Sequence, residues 1–233
     1  MVVKKRSGAT AERFVDVTLE LIEEQGGSQN LSLREVARRV GCAPTNVYNY
    51  FDGLPGLLWE ALRRAVIHYA HAVANGLDDD APPLDFLRHV VANLITYARE
   101  HPGLYRFISW DPINDGTYSD EVIQTVVALN EWFVDVIVAC APETDRDVAQ
   151  NAFYVIDAYI SGESANLVTN RALPGADIAT RMLDNALRLF TSLTAYDESS
   201  AQTPKSYPRL EVLGDSERVA TAVSSKGVAA EIS

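Results

Sequence analysis

Leu31-Ser-Leu-Arg-Glu-Val-Ala-Arg-Arg-Val-Gly-Cys-Ala-Pro-Thr-Asn-Val-Tyr-Asn-Tyr-Phe51 holds two short helical patterns separated by a glycine turn. Ser32 suits the N-cap of a helix over Leu33 to Val40, and Glu35, at the third helical position, completes the sequence of a capping box. Gly41 closes that helix, and Pro44, favoured in a helix's first turn, opens another running to about Phe51. Val36, Ala37, Val40 and Val47 fall on the inward sides, and the small Ala37 lets the two segments approach closely. The second segment then turns Pro44, Thr45, Asn46, Tyr48 and Asn49 outward. Two short helices about a glycine turn are the helix-turn-helix pattern, whose second helix enters the DNA major groove while the first crosses the backbone. Amides and hydroxyls are the groups that meet base edges and phosphates.

Helical periodicity continues on both sides. From Ala11 to Gln25, Phe14, Val17, Leu21 and Ile22 form one apolar stripe, ended by Gly26-Gly27. A long helix is expected from about Pro55 to Asn75, with Leu58, Leu62, Ala65, Val66 and Tyr69 on one side. Further helical patterns cover roughly 84–100, 102–110, 119–140, 145–170 and 176–195, punctuated by His101-Pro102-Gly103, Asp111-Pro112, Ala141-Pro142 and Leu173-Pro174-Gly175. No segment alternates with period two, so the expected class is all-α. From Asp197 onward the pattern dissolves into Ser, Pro, Lys and Glu, and residues 197–233 read as a disordered tail without core.

The net charge of −12 argues at first against a nucleic-acid partner. Its distribution reverses that reading. Residues 1–65 hold nine basic and eight acidic residues, and the acidic excess lies entirely beyond them. Two cysteines, Cys42 and Cys140, build neither a disulfide framework nor a metal cluster and suit a reducing cytoplasm. No uninterrupted apolar run reaches membrane-spanning length, since Gln124, Asn130, Glu131 and Asp135 break the stretch from Val122 to Ala141; no membrane partner is expected. Nor does the N-terminus read as a secretory signal.

Residues 10–62 resemble the DNA-binding domain of the tetracycline-repressor-like (TetR) family of transcriptional regulators. The resemblance rests on the helix at 10–25, Ser-Leu-Arg-Glu-Val-Ala at 32–37, Gly41, and Val-Tyr-Asn-Tyr-Phe at 47–51 followed by Leu57-Leu58. It implies a basic arm at 1–9, a three-helix DNA-binding head at 10–54, a helical effector-binding and dimerisation domain at 55–196, and a homodimer on a palindromic operator of double-stranded DNA, released by a small-molecule effector. The DNA-facing set is Lys4, Lys5, Arg6, Ser32, Arg34, Pro44, Thr45, Asn46, Tyr48, Asn49 and Tyr50, with Arg38 or Arg39 beside Arg34 on the crossing helix. Tyr48 and Tyr50 are open to two readings, phosphate contacts or core aromatics with exposed hydroxyls. Thr45 and Asn46 are likewise either base contacts or ordinary solvated residues. Two departures bear on affinity: Ala43 stands where the family has a small hydroxyl cap, and Asp52-Gly53-Leu54-Pro55 lacks the family's lysine.

In the C-terminal half the resemblance is architectural. Helices at 145–170 and 176–195 carry small and apolar residues suited to a four-helix dimer interface, for which Ala158, Gly162, Ala165, Met182 and Phe190 are the candidates. Tyr105, Trp110 and Phe133 are the candidates for an apolar effector pocket. His68 and His71 lie three apart, yet no third ligand completes a metal set, and no cofactor fingerprint or catalytic constellation can be assembled.

Overall fold

The structure, a computed structural model, describes residues 9–113, 120–169, 171, 177–199 and 201–210. These form α1 (Ala9–Gln25), α2 (Leu33–Val40), a 3-10 helix (Pro44–Asn49), α3 (Gly53–Val73), α4 (Pro83–Glu100), α5 (Pro102–Ser109), α6 (Asp120–Cys140), α7 (Arg146–Val168) and α8 (Ile178–Thr194), with no strand among the described residues. The all-α expectation holds, and helix limits fall within a few residues of those read from periodicity and punctuation.

The head is built on α1, whose Phe14, Val17, Leu21 and Ile22 are almost fully buried. α2 packs on α1 and on the 3-10 helix, burying Val36, Ala37 and Val47 completely. α3 serves both halves, packing on α1 and on α4, α5 and α6. One continuous core cluster runs through both halves, so the division proposed at residue 54 falls in the first turn of α3 without a break in packing. In the body, α7 and α8 pack closely on one another, and α6 packs against α3, α4 and α7. By length and hydropathy α6 alone among the described helices could cross a membrane. Here it is a bundle helix, with Leu129, Trp132, Val136 and Ile137 buried and Glu131 and Asp135 paired to Arg146 on the outside.

Three local features differ from expectation. The segment after Gly41 is a six-residue 3-10 helix rather than a longer α-helix. Ala43 supplies no side-chain cap, and Thr, Asn, Val and Tyr are poor helix formers, so little favours further α-helical turns. Second, within the tail expected at 197–233 the described residues 201–210 do contribute core, and 211–233 lie outside the described residues. Tyr207 is buried, stacks on Phe86 at a centroid distance of 3.6 Å, and its hydroxyl donates to Ala81 O at 2.8 Å. Trp132 Nε1 adds a bond to Pro208 O at 2.9 Å. One aromatic among polar residues left no periodic signal to announce this. Third, Met182 and Phe190 are fully buried within the single chain and cannot present a dimer surface. A four-residue period does not say which of two neighbours a face meets.

Candidate functional site

The helix-turn-helix geometry is assembled from local bonds. Ser32 Oγ accepts from Glu35 N at 3.3 Å, capping α2, while the Glu35 carboxylate accepts from Gln25 Nε2 at 3.2 Å. Gly41, at φ +85°, ends α2 in the left-handed conformation with Gly41 N and Cys42 N both donating to Ala37 O at 2.9 Å. Asn46 N donates to Ala43 O at 2.9 Å and Tyr50 N to Val47 O at 2.9 Å, the i to i+3 pattern of the 3-10 helix.

In a 3-10 helix residues three apart eclipse one another. Pro44, Val47 and Tyr50 therefore share one row, of which Val47 is the buried anchor. A second row holds Thr45 and Tyr48 and a third Asn46 and Asn49, giving a hydroxyl row beside an amide row. Thr45, Tyr48 and Asn49 are exposed, Tyr48 at 64%, and Asn46 is half-buried. Tyr48 is thus no core aromatic. Tyr50 is mainly one: half-buried, its ring lies 5.9 Å from that of Phe14 and 6.5 Å from that of Phe51.

Ser32, Arg34 and Arg38 are exposed on α2 beside this surface. Arg34 has no ion pair among the described residues, and Arg38 meets Glu35 only at 4.0 Å. Arg39 is bound by both carboxylate oxygens of Glu24, so its charge is already matched. Lys4, Lys5 and Arg6 lie outside the described residues.

A second site lies in the body. Tyr105, Trp110 and Phe133, singled out for a pocket, line one cavity of about 390 Å³. The Tyr105 and Trp110 rings meet edge to face at 5.6 Å, and Phe133 stacks on Phe153 at 5.5 Å. Sequence reading missed Tyr69, Asn130, Asp157 and Ser161, which complete the wall. The available signal was Asp157 and Ser161, following Phe153 at four-residue spacing, two polar positions interrupting an apolar helix face. Burial pushes the Tyr69 hydroxyl well above the usual phenol range and raises that of Tyr105. Desolvation also raises the Asp157 carboxyl.

The two sites are joined through α5. Gly103 lies so close to α1 that an added Cβ would stand 2.5 Å from Ile22 O. Leu104 N donates to Glu23 Oε2 at 2.9 Å. Beyond α5, Asp111 accepts from Ser28 N at 2.6 Å, from Ser28 Oγ at 3.1 Å and from Arg106 Nε at 3.0 Å, with its side chain 1% exposed. His68 makes the same seam polar. Its Nδ1 lies 3.0 Å from Tyr97 Oη and its ring 5.2 Å from that of His101, and burial pulls its pKa down to about 4, assisted by the charges of His101 and His71. No cluster of three metal-ligating side chains occurs among the described residues.

No protein-family model matches the sequence, and no curated protein does. Solved structures do match. A protein of unknown function from Rhodococcus sp. RHA1 aligns with a TM-score of 0.65 at 15% identity, covering 83% of this chain and 100% of that one. A tetR-family transcriptional regulator from Streptomyces coelicolor aligns with a TM-score of 0.60 at 20% identity, covering 83% and 85%. The fatty acid degradation regulator FadR from Bacillus halodurans aligns with a TM-score of 0.61 at 12% identity, covering 80% and 96%. The chain therefore has the fold of TetR-family transcriptional regulators.

Proposed function

We propose that the chain is a DNA-binding transcriptional regulator, a cytoplasmic repressor that binds a palindromic operator as a homodimer and is released by a small-molecule effector. The observation that carries the DNA-binding reading is the hydroxyl row of Thr45 and Tyr48 beside the amide row of Asn46 and Asn49, next to the solvent-facing Arg34 and Arg38. Such a surface offers hydrogen bonds to bases and cations to phosphates at once. Dimerisation is supported by α7, where Val148, Tyr154, Val155, Ala158 and Gly162 are exposed along one broad side and an added Cβ at Gly162 would meet nothing within 4 Å. Ala165 is half-buried at the end of this side. Pairing gains a second half-site about 34 Å away. The effector reading is supported by the cavity and by α5, which lines it and also touches the head. No catalytic role is assigned.

Fluorescence anisotropy on DNA upstream of the chain's own gene and its neighbours tests the reading. Sequence-selective binding that weakens steeply with salt is expected, and Tyr48→Ala or Asn49→Ala should weaken it without changing the melting temperature. Absence of selective binding to any of these fragments, or unchanged affinity in both variants, refutes it.

A second reading is favoured by the charge of the head: Arg39 is neutralised by Glu24, and residues 9–54 carry four basic against seven acidic side chains. On this reading the chain keeps the fold for effector or protein binding and has weak DNA affinity. Deleting residues 1–8, with Lys4, Lys5 and Arg6, separates the two, since DNA affinity falls under the first and does not change under the second.

A further inference from the structure

The cavity behind Trp110 is chemically one-sided. Rings of Tyr69, Tyr105, Trp110, Phe133 and Phe153 face it, while among the described residues its lining holds one carboxylate, Asp157, and no Lys, Arg or His. Asp157 is exposed and forms no hydrogen bond or ion pair with a described residue. Asp16, Glu60, Asp111 and Glu163, by contrast, each meet an arginine. Residues 114–119, between α5 and α6 in sequence, read Asn-Asp-Gly-Thr-Tyr-Ser and contain no cationic side chain. A smaller, otherwise wholly apolar cavity of about 40 Å³ shares Phe133, Phe153 and Asp157 with the first.

Aromatic faces carry negative potential, and a carboxylate near them adds a full negative charge in a site partly removed from water. An anion entering here would be repelled, whereas a cation gains the attraction of both the carboxylate and the ring faces. Resting on the effector reading above, we propose that this cavity binds an organic cation, an amine or quaternary ammonium on an apolar body. The charge sits against Asp157 and the body lies among Tyr105, Trp110, Phe133 and Phe153. Asn130 and Ser161 supply polar positions for orientation.

Phenyltrimethylammonium and tert-butylbenzene have nearly the same shape and differ by one positive charge. Their binding is followed by the change in tryptophan emission, with Trp110→Phe identifying the part that comes from the cavity. The proposal expects the cation to bind ~10-fold or more tightly than the hydrocarbon. Asp157→Asn should abolish that preference while hydrocarbon binding is unchanged. Equal affinities in the wild-type protein overturn the cation assignment and leave the cavity as a binding site. A preference that survives Asp157→Asn overturns the role of Asp157. If neither compound binds at its solubility limit, the effector-cavity reading falls as well. The wild-type comparison alone is decisive for the ligand class, whatever the variant's stability.

Discussion

Replacing Asp111 by Ala removes the acceptor that ties the α1–α2 loop to the end of α5. Three contacts go at once: Ser28 N at 2.6 Å, Ser28 Oγ at 3.1 Å and Arg106 Nε at 3.0 Å. Ser28 is 6% exposed, so its stranded N–H cannot turn to water, and an unsatisfied buried donor costs about 1–3 kcal/mol. The Arg106 side chain is 34% exposed and regains part of its hydration, which limits the charge contribution to about 1 kcal/mol. The sum is a loss of roughly 3 kcal/mol, or about 6–12 °C in Tm for a chain of this size. Gly27 makes the test sharper. Its φ of +143° disfavours any side chain, and an added Cβ would stand 2.7 Å from Asp111 Oδ2. Gly27→Ala alone should therefore be destabilising by about 2–3 kcal/mol, from strain and clash together. In the Asp111→Ala background the clash with that oxygen is gone, and the double variant should be more stable than additivity predicts by about 1 kcal/mol. Urea unfolding followed by circular dichroism gives all four corners of the cycle. A loss below about 1 kcal/mol for Asp111→Ala, or additivity within about 0.5 kcal/mol, refutes the reasoning.

Tyr207→Ala should cost about 3–5 kcal/mol through the lost stack on Phe86, and Tyr207→Phe only about 1 kcal/mol through the bond to Ala81; chemical denaturation compares them. Gly103→Ala should destabilise by about 3 kcal/mol or more, because the added Cβ would stand 2.5 Å from Ile22 O and 2.7 Å from Glu23 Cα, both backbone atoms; an unchanged melting temperature would show that α5 can move off α1 freely. His68 gives a pH dependence. Its folded pKa of about 4 lies below the ordinary 6.5, so between these values the unfolded chain takes up a proton that the folded chain refuses. Stability should fall as pH drops through that window, by at most about 1.4 kcal/mol per pH unit, relative to His68→Asn. Parallel stability profiles for the two proteins would contradict the assigned burial.

The helices were legible because their ends carry explicit chemistry. Ser32, Gly41 and Pro44 each perform the role that their type suggests, and Gly26-Gly27 stops α1 where the apolar stripe ends. The outward sides of the 3-10 helix were legible because Val47 reads as an inward apolar residue among polar neighbours, and its burial leaves those neighbours' sides outside. Three residues of the cavity wall were found because large aromatics in a helical body either fill core or line space. Asp157 and Tyr69 were not, because lining depends on which sides of α3, α5, α6 and α7 turn toward the same space, and that is settled by contacts across the bundle. The Asp111–Ser28 tie joins positions 83 residues apart and leaves no local pattern. Met182 and Phe190 show the converse limit: apolar periodicity says that a face is buried without saying whether a second chain buries it.

α3 is a single rod shared by the head and the body. At about 1.5 Å per residue its 21 residues span roughly 30 Å, so one degree of rotation about its body end sweeps the opposite end through about 0.5 Å. In a symmetric pair the two sweeps add. A rotation of about 5° in each subunit would alter the separation of the paired reading surfaces by several ångströms, against a groove repeat of about 34 Å. Leu62, Val66 and Tyr69 of this rod form part of the cavity wall, so on the proposed reading an occupant would need to displace them by only a fraction of an ångström for each ångström gained at the far end of the rod.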